Sequence, residues 1–355
     1  MGLLAGKLDH AGGGADAHRR PDRGKTSARI CAGRIAGGLI LLASYLLVAA
    51  AAFAEPVRVA AWHGDFSRKG PGLLVKELTS DKPVPGLDAI IDANPDILLL
   101  TNFDYDASLV ALTALQTRLS QHDVRFPYLF SERPNTGMPT GVDIDGDGRK
   151  GGPRDAQGFG YFSGQGGQAI LSRYPLHLVQ DKTALLWQDV QGGSIAADDP
   201  VGADQRLSSS AHWAIEVGVG NDKLMLLTLA ATPPVFDGPE DRNGRRNRDE
   251  VLLWPNILSS KPDIFDGAPV ILMGNFNLDP ERGDGLRQAA TNVLQHPALQ
   301  DPLPSQPTVL WDRVGEMRVT YVLPDRSFVV SAAQVMPPSP DAGPHRLVWV
   351  DLALP

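Results

Sequence analysis

Residues 268–274, Ala-Pro-Val-Ile-Leu-Met-Gly, form an apolar run too short for an ordinary helix, and it stops at a glycine followed by Asn275-Phe276-Asn277. Such a segment reads as a buried strand delivering polar side chains at its C-terminal end, where α/β proteins collect functional groups. The pattern recurs along the chain. Val57 to Trp62, Ile97 to Leu100, Gln168 to Leu171, Ile215 to Val219, Leu224 to Leu229, Val319 to Leu323 and Leu347 to Leu352 read as strands. Leu87, Ile90 and Ile91 mark a short helix face, and Leu109, Leu112, Leu115 and Leu119 recur at helical spacing. Strands alternating with helices predict a layered α/β domain. At 355 residues and 43% hydrophobic composition the chain can bury one large core, and no internal repeat is evident. An Asn after a strand is also an ordinary turn former, so the Gly-Asn-Phe-Asn string alone does not define a site.

The expected domain spans 55–355. Before it, Arg29 and Arg34 precede an apolar stretch from Ile35 to Phe53, and Ala52-Phe53-Ala54 fits a small-x-small cleavage site ahead of Glu55. Residues 1–54 therefore read as a leader and signal peptide, with export to the periplasm or medium. An uncleaved anchor is the alternative, because the apolar stretch approaches spanning length. If the leader is cleaved, no stable membrane insertion is expected. Residues 1–28 are rich in Gly, Ala and charge without periodicity, and read as a disordered leader or the product of an upstream start codon. The one cysteine, Cys31, lies in this leader, so the domain is expected to use neither disulfides nor thiol chemistry.

Charge narrows the partners. The whole chain is at −8 and the leader at +4, which leaves −12 on the domain. Nucleic-acid binders gain affinity by neutralising phosphates with basic surfaces, so nucleic acid is disfavoured, and the expected partner is an unidentified ligand or protein.

One acidic stretch has chemistry of its own. Asp143, Asp145 and Asp147 alternate ahead of Gly148, the oxygen-rich spacing and sharp turn of calcium loops. A full EF-hand loop would end in Glu where this chain has Arg154, and Asp155 can substitute only if the loop is one residue longer. Calcium in the 143–155 loop is the expectation; a solvated Asp/Gly turn is the alternative. Seven glycines between 151 and 167 predict a long irregular surface loop that an ion would help to order.

In order, Val57-Arg-Val-Ala-Ala-Trp-His63, Pro95 to Asp106, Gly167 to Leu176, Thr232 to Asn247, Gly274-Asn-Phe-Asn277, Arg318-Val-Thr-Tyr-Val-Leu-Pro324 and His345-Arg-Leu-Val-Trp-Val-Asp351 resemble the endonuclease/exonuclease/phosphatase superfamily, and more closely its secreted bacterial branch. The resemblance spans residues 57–352. It implies a four-layer sandwich, two mixed sheets packed face to face with helices outside. It also implies a magnesium-dependent phosphoester hydrolase, yet the chemical positions depart from the pattern. His63 stands where the family has a cation-holding Asn, and Asn102 where it has the metal-binding Glu. Ala230 replaces the catalytic His, and Asn275 the Asp that activates water. Thr320 and Pro344 also replace aspartates. Asn277 and His345 are retained.

Magnesium binds through hard anionic oxygens, and a general base must accept a proton; amides, alanine and proline supply neither. The sequence therefore predicts a site without magnesium. Three functional classes stand open: a secreted pseudoenzyme keeping the cleft as a binding surface, an altered-site phosphodiesterase or phosphatase built on His63, Asn277 and His345, and a calcium-stabilised extracellular structural protein. His63 and His345 with Asp65 or Asp104 would suit a transition metal, whereas ordinary hydrogen bonding explains the histidines as well. Asp237, Glu240, Asp241, Arg242 and Arg245 read either as a cleft rim or as a self-satisfied salt-bridged loop. Trp187, Trp213, Trp254, Trp311 and Trp349 read as core or cleft-wall packing.

Overall fold

A computed structural model describes residues 55–261 and 263–355; the expected leader, with Cys31, the apolar stretch and the cleavage motif, lies outside the described residues. The elements are β1 (Val57–Trp62), α1 (Leu73–Leu78), α2 (Leu87–Ala93), β2 (Ile97–Phe103), α3 (Val110–Ser120), β3 (Tyr128–Phe130), β4 (Gly167–Ser172), β5 (Leu176–Asp181), β6 (His212–Val219), β7 (Asp222–Ala230), α4 (Arg242–Ser260), β8 (Val270–Asn275), α5 (Gln288–Leu294), β9 (Val309–Trp311), β10 (Gly315–Met317), β11 (Thr320–Pro324), β12 (Val329–Val335) and β13 (Val348–Ala353). Among the described residues no helix is long and apolar enough to cross a membrane.

Two mixed sheets result, ordered β12-β13-β1-β2-β4-β3 and β11-β8-β7-β6-β5, with β9 and β10 as a separate hairpin. Each sheet has one parallel pair at its centre, β1 with β2 and β7 with β8. These central strands are apolar on both faces because both faces are covered. Val59, Ala61, Ile97 and Leu99 pack against Ile215, Leu226, Ile271 and Met273 between the sheets. The alternate residues Ala60, Trp62, Leu98 and Leu100 face the first three helices, while Leu227, Leu229 and Leu272 face α4 and α5. Helix, sheet, sheet, helix is the four-layer sandwich anticipated from the sequence. Each fully buried Leu or Ile contributes about 1.5–3 kcal/mol, so these three apolar layers dominate the stability.

Two regions were not readable from the pattern. The edge strands β5 and β12 are half-exposed along their length, so their side chains carry no continuous apolar signal. Helix α4 begins inside the charged stretch that reads as a loop, and contains Pro255.

Candidate functional site

The parallel pairs aim their C-terminal ends at one another across the two sheets. His63 directly follows β1, Asn102 is the penultimate residue of β2, Ala230 ends β7 and Asn275 ends β8. Ala230 and Asn275 are register partners, as are Thr320 and Asn275. Gly274 makes the turn out of β8 possible. Its φ is +143°, and a Cβ there would lie 1.9 Å from the Leu229 carbonyl oxygen, so no other residue fits. On the C-terminal segment, Trp62 Nε1 donates to the His345 carbonyl at 3.0 Å, which ties the end of β1 to the residue that closes the site.

Hydrogen bonds join three of the candidate positions, His63, Asn275 and Asn277, into one network. Asn277 Nδ2 donates to the Ala231 carbonyl at 2.7 Å, so Asn277 Oδ1 is left as an acceptor and receives Asn275 Nδ2 at 3.1 Å. Asn275 Oδ1 accepts the Asn277 backbone N–H at 3.3 Å, and its Nδ2 also reaches His63 Nδ1 at 3.1 Å. The Thr101 hydroxyl is 3.0 Å from the same ring nitrogen. The His63 and His345 rings lie 4.5 Å apart between centroids, inclined at 52°. Trp311, from the β9–β10 hairpin, meets His345 edge-on at 5.6 Å. Asn102 is tied to the segment after β1 by Nδ2 donating to the Gly64 carbonyl at 3.1 Å. Ala230 contributes backbone alone, its carbonyl accepting Ser209 Oγ at 3.3 Å; the Pro344 carbonyl accepts Leu310 N–H at 3.2 Å.

The electrostatics are those of a neutral site. Burial pushes the His63 imidazole down to about 4, and burial followed by the neighbouring His63 holds His345 well below its ordinary value. Among the described residues, His345 Nδ1 and Thr320 Oγ1 are buried without a hydrogen-bond partner. Carboxylates nearby are engaged elsewhere. Asp104 accepts Ser67 Oγ at 2.7 Å and the Arg68 and Gly166 N–H groups at 2.8 and 3.0 Å. Burial still raises its carboxyl above the usual range against those bonds. Asp65 sits 3.5 Å from Arg68, itself paired with Glu77.

Beneath the site, helix α4 buries a polar stripe that sequence periodicity did not reveal. Glu250 accepts Ser209 N–H and Oγ on one oxygen and Thr232 N–H at 2.7 Å on the other. Asn247 Nδ2 bridges the Thr232 and Phe276 carbonyls, both at 2.7 Å, thereby holding the loop after β7 against the turn after β8. Arg246 donates to the carbonyls of Arg206, Leu207 and Ser208, and burial lowers its guanidinium to about 10. Each buried group is thus used to fix backbone. Of the charged stretch read as a rim or a salt-bridged loop, Arg242 pairs with the buried Asp199 at 2.7 Å and Asp237 accepts the Asn243 N–H. Trp187, Trp213 and Trp254 are fully buried core residues and Trp349 is nearly so; Trp311 is the one that borders the site. No periodic signal marks the start of α4, because residues 245–250 are polar or charged without a break.

The acidic loop lies apart in the chain. The carboxylates of Asp143, Asp145 and Asp147 lie within 4.8 Å of one another. Asp155 is placed differently: its two oxygens accept the N–H groups of Ile144 and Gly152, both at 2.8 Å, and backbone donors led by Ile144 lower its carboxyl. It closes the loop as a hydrogen-bond acceptor. The Gly-rich segment that follows runs back to the site, where Gly166, at φ +57°, passes so close to Asn102 that a Cβ would stand 2.9 Å from its Oδ1.

Known proteins bear on this arrangement. Residues 74–349 match the sequence profile of the Endonuclease/Exonuclease/phosphatase family. An endonuclease/exonuclease/phosphatase from Beutenbergia cavernae DSM 12333 is similar in structure with a TM-score of 0.53 at 14% identity, covering 84% of this chain and 72% of that chain. Family proteins from Bacteroides thetaiotaomicron and Leptotrichia buccalis C-1013-b each give a TM-score of 0.49, at 12% and 13% identity, covering 85% and 83% of this chain and 99% of theirs. At such identities the likeness speaks to fold. No curated protein matches the sequence. With its profile match covering most of its length and its two-sheet sandwich in common with solved members, the chain belongs to the Endonuclease/Exonuclease/phosphatase family.

Proposed function

We propose that this protein is an exported pseudoenzyme of its family, in which the cleft between the two sheets has lost metal-dependent phosphoester hydrolysis and is kept as a binding surface. The observation that carries this reading is the commitment of the amide oxygens. Asn275 Oδ1 and Asn277 Oδ1 are both taken by hydrogen bonds within the network, and the side chains that meet there are amides, hydroxyls and neutral imidazoles. Magnesium, which the family implies, requires near-octahedral hard oxygen ligands, and this donor set does not fit it. No group in the network is a carboxylate able to deprotonate water.

The reading predicts that the purified protein, with magnesium or manganese, hydrolyses phosphomonoesters, phosphodiesters and DNA no faster than buffer. Metal-dependent turnover that disappears in His345→Ala would overturn it in favour of an altered-site hydrolase, the second reading, which the ring contact between His63 and His345 favours. Calcium is assigned on this reading to Asp143, Asp145 and Asp147, whose carboxylates still converge, as a stabiliser of the exported domain.

A further inference from the structure

We infer that Asn275 is a tautomer lock on His63, and that this lock, rather than the loss of carboxylates alone, closes the histidine pair to metal ions. The inference rests on the proposed function only in taking the cleft not to be a magnesium site; it concerns a different class of ion, the borderline transition metals that imidazoles bind.

Two backbone groups beside Asn275 and Asn277 have donor and acceptor identities fixed by chemistry. The Ala231 carbonyl can only accept, so the Asn277 amide must turn its nitrogen toward it, at 2.7 Å. Asn277 Oδ1 then faces Asn275 as an acceptor at 3.1 Å. The Asn277 backbone N–H can only donate, so Asn275 must turn its oxygen toward it, at 3.3 Å. Both constraints orient Asn275 the same way, with Nδ2 directed at His63 Nδ1 at 3.1 Å. An amide nitrogen carries hydrogens and no lone pair to give, so His63 Nδ1 must be bare and its proton must sit on Nε2. The Thr101 hydroxyl, 3.0 Å away and free to rotate, donates to the same nitrogen.

A metal-ligating histidine has the opposite arrangement. The nitrogen that binds the ion is bare, and the other donates its N–H to an acceptor that orients the ring. In this cleft Nδ1 is bare but covered by two donors, whereas Nε2 carries the proton. Moving the proton to Nδ1 would set N–H against the Asn275 amide N–H. Turning the Asn275 amide to relieve that contact would set its nitrogen against the Asn277 N–H and its oxygen against Asn277 Oδ1. Metal binding through His63 Nε2 thus requires giving up either the Asn275–His63 bond or the two Asn275–Asn277 bonds that hold the turn after β8.

A carboxylate at position 275 removes the conflict at His63 and keeps a single one, an oxygen facing Asn277 Oδ1 across the 3.1 Å now spanned by the amide nitrogen. Its oxygens accept both the Asn277 N–H and a proton on His63 Nδ1, leaving Nε2 bare beside His345 at the 4.5 Å ring separation. The exchange of an amide nitrogen for an oxygen at residue 275 therefore decides whether His63 Nε2 carries a proton or is bare for a metal.

The test is nitrogen NMR of the chain labelled at its eight histidines, with His63→Ala assigning the His63 resonances. In the wild type, His63 Nδ1 should resonate as a bare ring nitrogen and Nε2 as a protonated one. Zinc should leave the His63 and His345 signals unmoved. In Asn275→Asp the two His63 nitrogens should exchange character, and zinc should shift both rings. A wild-type His63 protonated on Nδ1, or zinc shifts at both rings in the wild type, would overturn the inference without any use of the variant. So would a folded Asn275→Asp whose His63 keeps its proton on Nε2. A hydrolysis assay cannot produce any of these outcomes, so failure of the lock and failure of the pseudoenzyme reading are separately visible.

Discussion

Acid should weaken this fold through histidines that are buried neutral, and His212 isolates the effect. The ring is fully buried; its Nε2 faces the Glu250 backbone carbonyl at 3.0 Å, so it carries a proton, and Nδ1 accepts from Ser208 Oγ at 2.6 Å. Burial lowers its pKa to about 4, against an ordinary value of 6.5. Between those values the unfolded chain binds a proton that the folded chain refuses. The stabilisation is therefore complete above pH 6.5 and is lost as pH falls toward 4. From the two pKa values, the loss between pH 7.5 and pH 5 is about 2 kcal/mol for this one residue. His63 acts in the same direction with a share reduced by its partial exposure, and the buried carboxyl of Glu250, raised by burial, acts in the opposite direction. Urea unfolding at both pH values, on the wild type and on His212→Gln, reads the difference. The variant loses two hydrogen bonds at either pH, so it is weaker throughout, but its loss on acidification should be smaller by about 2 kcal/mol. An equal loss in both proteins would refute the assignment of a neutral, acid-sensitive His212.

Other perturbations follow from single contacts. Gly274→Ala forces a Cβ against the Leu229 carbonyl and should cost at least roughly 1–3 kcal/mol of strain, seen as a lowered urea midpoint; an unaltered midpoint would mean that the turn after β8 is not constrained as described. Asn247→Leu leaves the Thr232 and Phe276 carbonyls without their shared donor, for an expected loss of about 1–3 kcal/mol in the same assay. Calcium at a hundredfold excess over its dissociation constant should stabilise the protein by about 2.7 kcal/mol. Asp145→Asn with Asp147→Asn should abolish that shift in thermal unfolding, and Asn275→Asp should leave it in place.

The strands that carry the site were visible in sequence because each has an interior that is apolar on both faces, as Val270 to Met273 is in β8. The pattern placed their interiors well and their ends less well, since Asn275 belongs to β8 although no hydrophobicity marks it. Position in the family order identified His63, Asn102, Asn275, Asn277 and His345 as candidates, and the structure brings His63, Asn275 and Asn277 into one hydrogen-bonded network with the His345 ring tilted against His63. Thr101 was hidden because it alternates with the expected residue on the same strand. Glu250, Arg246 and Asn247 were hidden for a different reason. Their burial is balanced by backbone groups from distant loops, and no local sequence signal records which polar residues will find such partners. The same holds for Asp155, whose place in the acidic spacing suggested a ligand but whose oxygens are spent on Ile144 and Gly152.

Magnesium calorimetry tests the central claim most directly. The chain carrying Asp145→Asn and Asp147→Asn, so that the acidic loop cannot contribute, should give no saturable heat with magnesium. Adding Asn102→Glu and Asn275→Asp to that chain restores two carboxylates at the ends of β2 and β8 and should create saturable binding. Saturable magnesium binding before those carboxylates are restored would contradict the account, because the cleft would then hold the cation with amides and imidazoles alone.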